Sequence, residues 1–494
     1  MNIEQVDTLI VGAGLSGIGS AVHLRQGLPQ QSVLILEARE RLGGTWDLFR
    51  YPGIRSDSDM HTLGYSFKPW TGAKAIADGP SILQYVQETA QEFGVLPLIR
   101  FGHKVLSASW DSSAARWSVM VKRLSDDTVV QMQCRFLLMC SGYYNYQSGY
   151  TPVIPGIESF QGKVVHPQHW PQDLDYRGKQ VVVIGSGATA MTLVPEMAKQ
   201  AARVTLLQRS PTYVVARPSR DAFADALRRV LPSKWAYALT RWKNVLVGIF
   251  YFNLARRKPA LAKARILQDA AKALPAGYPI DPHFTPRYQP WDQRICLVPD
   301  ADLFRAIGLG RAQMVTDTID KIEPQGIRLH SGQWLNADLI VTATGLDLLG
   351  FGGMQISVDG VPLNVADCLA YKGMMLNGVP NFAYIFGYTN ASWTLKSDLT
   401  GQYVLRILRH MRSHTFDSVV PRLVDLSVQP EPWVDFSSGY FQRAMDRFPK
   451  QGNKKPWRLY QNYVRDLLAL RWGRLDDGVL VFGKGRPKAT TAGT

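Results

Sequence analysis

Two short runs in this chain have residue types and spacing that suit phosphate chemistry. Gly12-Ala-Gly14-Leu-Ser-Gly17 and Gly185-Ser-Gly187-Ala-Thr-Ala190 are spaced as turns that hold a dinucleotide pyrophosphate. Glycine lets the backbone approach the phosphates, and the helix that follows aims its N-terminus at their charge. The residues after the two turns differ. Glu37 ends the second strand of the first unit, where a carboxylate accepts hydrogen bonds from a ribose diol and repels a 2′-phosphate. That fits FAD or NAD. The equivalent place in the second unit holds Gln208, followed by Arg209 and Ser210. A guanidinium and a hydroxyl in place of an acid suit a 2′-phosphate, and so NADP. A chain with both sites moves hydride from NADPH to a flavin.

These turns need strands and helices to position them. Thr8-Leu-Ile-Val-Gly12 reads as a buried strand, a helix-compatible stretch runs through Leu24, and Ser32-Val-Leu-Ile-Leu-Glu37 reads as a second strand. Lys179–Ile184 and Val204–Ser210 repeat the pattern around the second turn. Two such β-α-β units mean two dinucleotide sites, or one site and a degenerate copy. Between Asp221 and Asp281 basic residues (Arg228, Arg229, Arg241, Lys243, Arg256) alternate with aromatics (Trp235, Tyr237, Trp242, Phe250), which predicts a helical insertion over residues 219–285. Short apolar strands resume at Asp338-Leu-Ile-Val-Thr-Ala-Thr-Gly345. The fold class is therefore α/β, with two Rossmann-like dinucleotide-binding domains, one for FAD and one for NADP, and a helical insertion in the NADP domain. The expected boundaries are 1–155 for the first part of the FAD domain, 156–335 for the NADP domain, and 336–494 for the return to the FAD domain and the C-terminal segment. The tail from Lys484 onward is basic and small and is expected to fray.

The chain has 494 residues, 46% of them hydrophobic and 19% charged, as expected of packed globular domains. A net charge of +16 admits nucleic acid, anionic lipid or phosphate-bearing cofactors as partners. No helix-turn-helix, zinc-finger or RNA-binding aromatic signature accompanies it, so no nucleic-acid partner is expected. Cys134, Cys140, Cys296 and Cys368 form no C-x-x-C pair and lie at no metal spacing, so no metal and no structural disulfide are expected. Cys134 and Cys140 read as small buried hydrophobes. The polar start, Met1 to Asp7, enters a strand directly, and no apolar run approaches the roughly 18 residues that span a bilayer. The expected location is cytoplasmic.

Between the two units lies Phe160-Gln-Gly162-Lys-Val-Val-His166-Pro-Gln-His-Trp170-Pro171, which resembles position for position the F-x-G-x-x-x-H-x-x-x-W-P fingerprint of type I Baeyer–Villiger flavin monooxygenases. Gly43-Gly44-Thr45-Trp46 with Arg50-Tyr51-Pro52-Gly53-Ile54-Arg55-Ser56-Asp57 resembles that family's flavin-side loop, and Pro290-Trp291-Asp292-Gln293-Arg294 the segment with its active-site arginine. Ala343-Thr344-Gly345 resembles the strand that returns the chain to FAD. Asp47-Leu48-Phe49, Asn390–Lys396 and Pro449-Lys450-Gln451-Gly452 are similar to a subgroup, the ethionamide-activating monooxygenases and the flavin monooxygenases of long-chain alkane breakdown. One departure stands out: many type I enzymes carry a 2′-phosphate-binding lysine just before the active-site arginine, and here that residue is Gln293.

The resemblance implies FAD and NADPH as cofactors, O2 as co-substrate and a C4a-peroxyflavin oxidant. The substrate would be a ketone, apolar or long-chain, converted to an ester or lactone, with thioethers as further substrates. It implies Arg294 as the fixed cation that stabilises negative charge, Asp57 as its partner and Arg55 as a second partner. Gly44, Thr45 and Trp46 would touch the flavin. His166 lies in an inter-domain connection, where a domain-orienting hydrogen bond suits it better than the role of a base. The competing classes are an N- or S-oxidising flavin monooxygenase, a flavin disulfide reductase, which needs a cysteine pair the chain lacks, and a non-catalytic nucleotide sensor. Finally, the apolar run Asn244–Ala255, flanked by Arg241, Lys243, Arg256, Arg257 and Lys258, makes residues 241–258 a candidate peripheral contact with anionic lipid.

Overall fold

The run Thr8–Val11 becomes the inner half of the strand Glu4–Val11, which pairs in parallel with Val33–Leu36 on one side and Val129–Met139 on the other. Strands buried on both faces read as continuous apolar runs, and these do. A nine-stranded sheet grows around them: His103–Asp111, Arg116–Arg123 and Val129–Met139 form an antiparallel meander, and Phe382–Tyr384 returns from late in the chain to pair with Val129–Met139. The helix Leu15–Gly27 is buried nearly all round, because the long helix Trp393–Ser413 covers its outer side. This computed structural model describes residues 3–484, and the tail expected to fray beyond Lys484 lies outside the described residues.

The second sheet has five parallel strands in the order Ala312–Thr316, Arg203–Gln208, Gln180–Ile184, Leu339–Thr342 and Lys163–Val165. The chain is thus a mixed α/β protein with two Rossmann-like units. One boundary needs correcting. The sequence boundary at 336 places Leu339–Thr342 in the return segment, but the strand is inserted between Gln180–Ile184 and Lys163–Val165 of the second sheet. Its apolar run suits either sheet, so only pairing decides. The chain crosses back later, through Leu346–Leu348. That strand pairs antiparallel with Tyr144–Gly149, the outward crossing, so both crossings share one two-stranded ribbon.

The expected insertion is present as three helices, Ala222–Val230, Ser233–Arg257 and Pro259–Ala273. The basic flanks of 241–258 are not the free charges the sequence implied. Arg241 is buried and donates to the backbone carbonyls of His61 at 2.8 Å and Gly64 at 2.7 Å, with Asp398 at 3.6 Å. Lys243 pairs with Asp221 at 2.7 Å, and Arg256 with Asp292 at 2.9 Å and Asp435 at 3.2 Å. Helical periodicity in the run could not show that a turn of another domain lies beneath it. Arg257 and Lys258 remain exposed. No helix among the described residues is long and apolar enough to cross a membrane.

Candidate active site

Both glycine turns do structural work before any ligand arrives. Gly12 and Gly185 have φ of +104° and +137°, and a Cβ on either would meet the carbonyl oxygen of Cys140 at 2.7 Å or Ala343 at 2.2 Å. Gly12 N–H donates to Leu36 and Gly185 N–H to Leu207, which fixes each turn against its second strand. The helices that follow have N-caps Gly14 and Gly187, and neither is capped by a side chain. Uncapped first-turn amides make an anion site. A Cβ on Gly187 would meet no protein atom within 4 Å, so this backbone faces space that a ligand can fill. Gly17 and Ala190 serve differently. They sit where helix packs on strand, and a Cβ on Gly17 would lie 1.9 Å from the Gly12 carbonyl oxygen.

A cleft of about 1320 Å³ is lined by Gly12, Gly14, Glu37, Gly44, Thr45 and Trp46 from the first domain and by Gly185, Gly187, Arg209 and Ser210 from the second. Asp57, Arg55 and Arg294 open on the same cleft. Its glycine floors and uncapped helices fit two dinucleotides. Glu37 is buried and accepts from the backbone N–H of Ala13 at 2.8 Å and of Arg39 at 2.9 Å, while burial raises its pKa against those hydrogen bonds. The Gly43–Trp46 segment joins the first turn through Gly43 N–H to Ala13. It is braced by buried Asp47, which Arg39 and Arg50 approach at 2.6 and 2.7 Å.

The second site replaces this acid with a different arrangement. Gln208 turns into the protein and donates to the His283 carbonyl at 2.7 Å and Thr316 at 3.0 Å, so it faces no ribose. Arg209 and Ser210 are exposed and line the cleft. Arg209→Ala should therefore raise the Michaelis constant for NADPH about tenfold or more, the worth of one charge-assisted hydrogen bond, and leave that for NADH nearly unchanged. Steady-state kinetics with both nucleotides checks this, and equal effects on both would remove Arg209 from the phosphate site.

Arg294 and Asp57 meet across 237 residues of sequence, Nη1 to Oδ2 at 2.9 Å. Arg294 Nη2 also donates to the Thr389 carbonyl at 3.4 Å. The Asp57 carboxylate holds the guanidinium above even its usual range, against the opposing effect of burial. Tyr143, Tyr144 and Tyr440 surround the pair, and burial pushes their phenols up, so they stay neutral donors. Arg55 lines the cleft, but its guanidinium is paired with Asp302 rather than joined to Asp57 or Arg294. Gln293 lines the cleft beside Arg294, where it adds no cation.

His166 caps the short Pro167–His169 turn, with Nδ1 accepting from Gln168 N–H at 3.2 Å and Nε2 lying 3.3 Å from the Gly345 carbonyl. One neutral tautomer satisfies both contacts, with Nε2–H donating, and burial lowers the pKa in keeping with it. The ring presses on the crossing ribbon so closely that a Cβ on Gly149 would fall 2.0 Å from it.

Sequence reasoning passed over Tyr143, Tyr144, Trp393 and Tyr440, all of which line the cleft. Tyr143-Tyr144-Asn145-Tyr146 is a visible aromatic run directly after Gly142. Trp393 is held by Nε1–H donation to Ser16 at 2.7 Å and falls within the Asn390–Lys396 motif, which is its signal, whereas Tyr440 arrives on the short distant helix Gly439–Gln442 and leaves no local one. The four cysteines are buried with free thiols, Cys134 and Cys140 as the small hydrophobes expected.

Comparison with known proteins bears directly on this cleft. Residues 75–245 match the model of the flavin-binding monooxygenase-like family, and residues 10–74 that of the NAD(P)-binding Rossmann-like domain. The chain is 52% identical to the FAD-containing monooxygenase EthA of Mycobacterium tuberculosis over 482 residues, covering 97% of this chain and 98% of that protein. It is 45% identical to the probable FAD-binding monooxygenase AlmA of Acinetobacter baylyi, covering 97% of each. Among solved structures, an oxidised steroid monooxygenase bound to NADP superposes with a TM-score of 0.77 at 22% identity, covering 97% of this chain and all of that one. An open cyclohexanone monooxygenase gives 0.71 at 19% identity, covering 85% of this chain and 90% of that one. Those two likenesses concern the fold, whereas identity along nearly the whole length settles the family: the chain belongs to the FAD-containing flavin monooxygenases.

Proposed function

We propose that this chain uses NADPH and O2 to insert one oxygen atom beside a ketone carbonyl, giving an ester or lactone, with sulfoxidation as an accompanying activity. The observation that carries the reading is the Arg294–Asp57 pair in the cleft shared by both nucleotide turns. The first turn would hold FAD and the second NADPH, and when bound the reduced flavin would supply the activated oxygen. Oxygen addition to a ketone places negative charge on the former carbonyl oxygen. A guanidinium fixed at that place stabilises the charge, and unlike an ammonium it cannot give up its proton. Asp57 and the Thr389 carbonyl hold Arg294 in one orientation, so little reorganisation is needed when charge develops. Apolar walls from Trp393 and Phe436 support an apolar or long-chain ketone as substrate and keep water from the reacting centre.

The test is NADPH oxidation by the FAD-loaded protein with ketones and thioethers of graded chain length, run under labelled O2 with product analysis. Ketone should stimulate NADPH oxidation and yield an ester carrying one labelled oxygen. Ketones left untouched while thioethers become sulfoxides would replace this reading with that of an N- or S-oxidising flavin monooxygenase.

A further inference from the structure

The helix Ser233–Arg257 has one face that its own fold covers only at Trp242, whose ring packs on Tyr463 at 5.9 Å. Tyr237 and Arg241 anchor the opposite face, Tyr237 through its hydroxyl to the Tyr65 carbonyl at 3.0 Å and Arg241 to the carbonyls already described. On the open side Trp235, Leu239, Trp242, Leu246 and Phe250 recur every three or four residues, each between 41% and 67% exposed. At 3.6 residues per turn they fall within an arc of roughly 80° and run along about 22 Å of helix. A soluble surface carries single exposed apolar residues, but a continuous stripe of this length marks a contact.

Charge says what the contact is with. The 25-residue helix contains no Asp or Glu. Lys234 stands at its start and Arg257 at its end, with Arg229 before it and Lys258 after it, all exposed. A second copy docking on the same face would be isologous and would set these cations against their own images. An anionic lipid surface offers the complementary charge, and its interfacial region suits the rings of Trp and Phe. We infer that this face of the Ser233–Arg257 helix lies on anionic membrane. The contact is smaller in charge than the sequence implies, since Arg241 is buried and Lys243 and Arg256 are paired with carboxylates, but its apolar stripe is better defined. The same helix reaches the active-site segment: Phe252 packs on Trp291 at 5.4 Å and Arg256 pairs with Asp292, two residues before Arg294. The docking itself does not depend on the ketone reading.

The full-length, FAD-loaded protein tests this by sedimentation with phosphatidylcholine vesicles, with and without phosphatidylglycerol. Binding should require phosphatidylglycerol and fall with added salt. The pair Trp235→Ser and Phe250→Ser, and separately the trio Lys234→Gln, Arg257→Gln and Lys258→Gln, should each weaken binding at least about tenfold. NADPH oxidation without vesicles should stay at the parent rate in both variants, which reports intact folding. Should the aromatic pair fail to fold, the charge trio alone decides. No sedimentation with phosphatidylglycerol vesicles, or equal sedimentation of parent and variants, would overturn the inference. A dimer in sedimentation velocity that the aromatic pair dissociates would assign the face to a second copy and overturn it too.

Discussion

Arg294→Ala should keep its flavin and lose ester formation by about a hundred- to a thousandfold, the usual cost of removing one preorganised donor from developing negative charge. The variant should fold, because Arg294 is only partly buried and its removal frees Asp57 toward the open cleft. NADPH should still reduce the flavin, since nothing in the second turn depends on Arg294. Electrons would then reach O2 and leave as hydrogen peroxide rather than ester. Arg294→Lys is the sharper variant. It keeps a positive charge but loses the fork that reaches Asp57 and the Thr389 carbonyl together, so it should recover only a small part of the loss. Ester and peroxide measured against NADPH consumed decide the matter. Wild-type ester yield from Arg294→Ala would dismiss this residue as the charge-stabilising cation.

A second large effect is expected from two glycines that hold different positions in the two turns, Gly17 the third of the first turn and Gly187 the second of the other. Gly17→Ala should abolish flavin binding and destabilise the first domain, because its Cβ would lie 1.9 Å from the Gly12 carbonyl oxygen with the backbone unable to yield. Overpacking a rigid helix–strand contact costs about 1–3 kcal/mol, and more where the opposing atom is backbone. Gly187→Ala has the opposite profile. Its Cβ would touch no protein, so the melting temperature and flavin content should match the parent. The Michaelis constant for NADPH should rise about tenfold or more, because the methyl group takes space that the pyrophosphate needs. Flavin absorbance after gel filtration, thermal melting and NADPH kinetics separate the two. A Gly17→Ala protein with full flavin would show that the helix can shift, and that the turn is less constrained than its geometry implies.

The parts of this fold legible in the sequence are those where a local pattern and a local force coincide. The two glycine turns, the strands before them and Glu37 at the second strand end are each set by neighbours within a few tens of residues. The Arg294–Asp57 pairing is implied by the resemblance of two separate motifs to one family rather than by any local pattern, and the structure brings the side chains together. Where competing partners lie far along the chain, residue type alone misled. Arg55 has the charge for the site, but Asp302 captures it from 247 residues away. Arg241 reads as a solvated flank of an apolar run, and carbonyls of the turn at residues 61–64 capture it. Leu339–Thr342 has the apolar run of a strand, yet only pairing with Gln180–Ile184 tells which sheet owns it.

The insertion also changes how the two domains can move. By sequence it belongs to the second domain, but Arg241 and Tyr237 fasten it to the first. The second domain therefore meets the first through the insertion as well as through the crossing ribbon, and the pairs Arg55–Asp302 and Arg294–Asp57 tie the two together again. With its far end fastened to the first domain, the insertion is a strap: a change in the angle between the domains must bend the segments that lead into and out of it, or break its anchors.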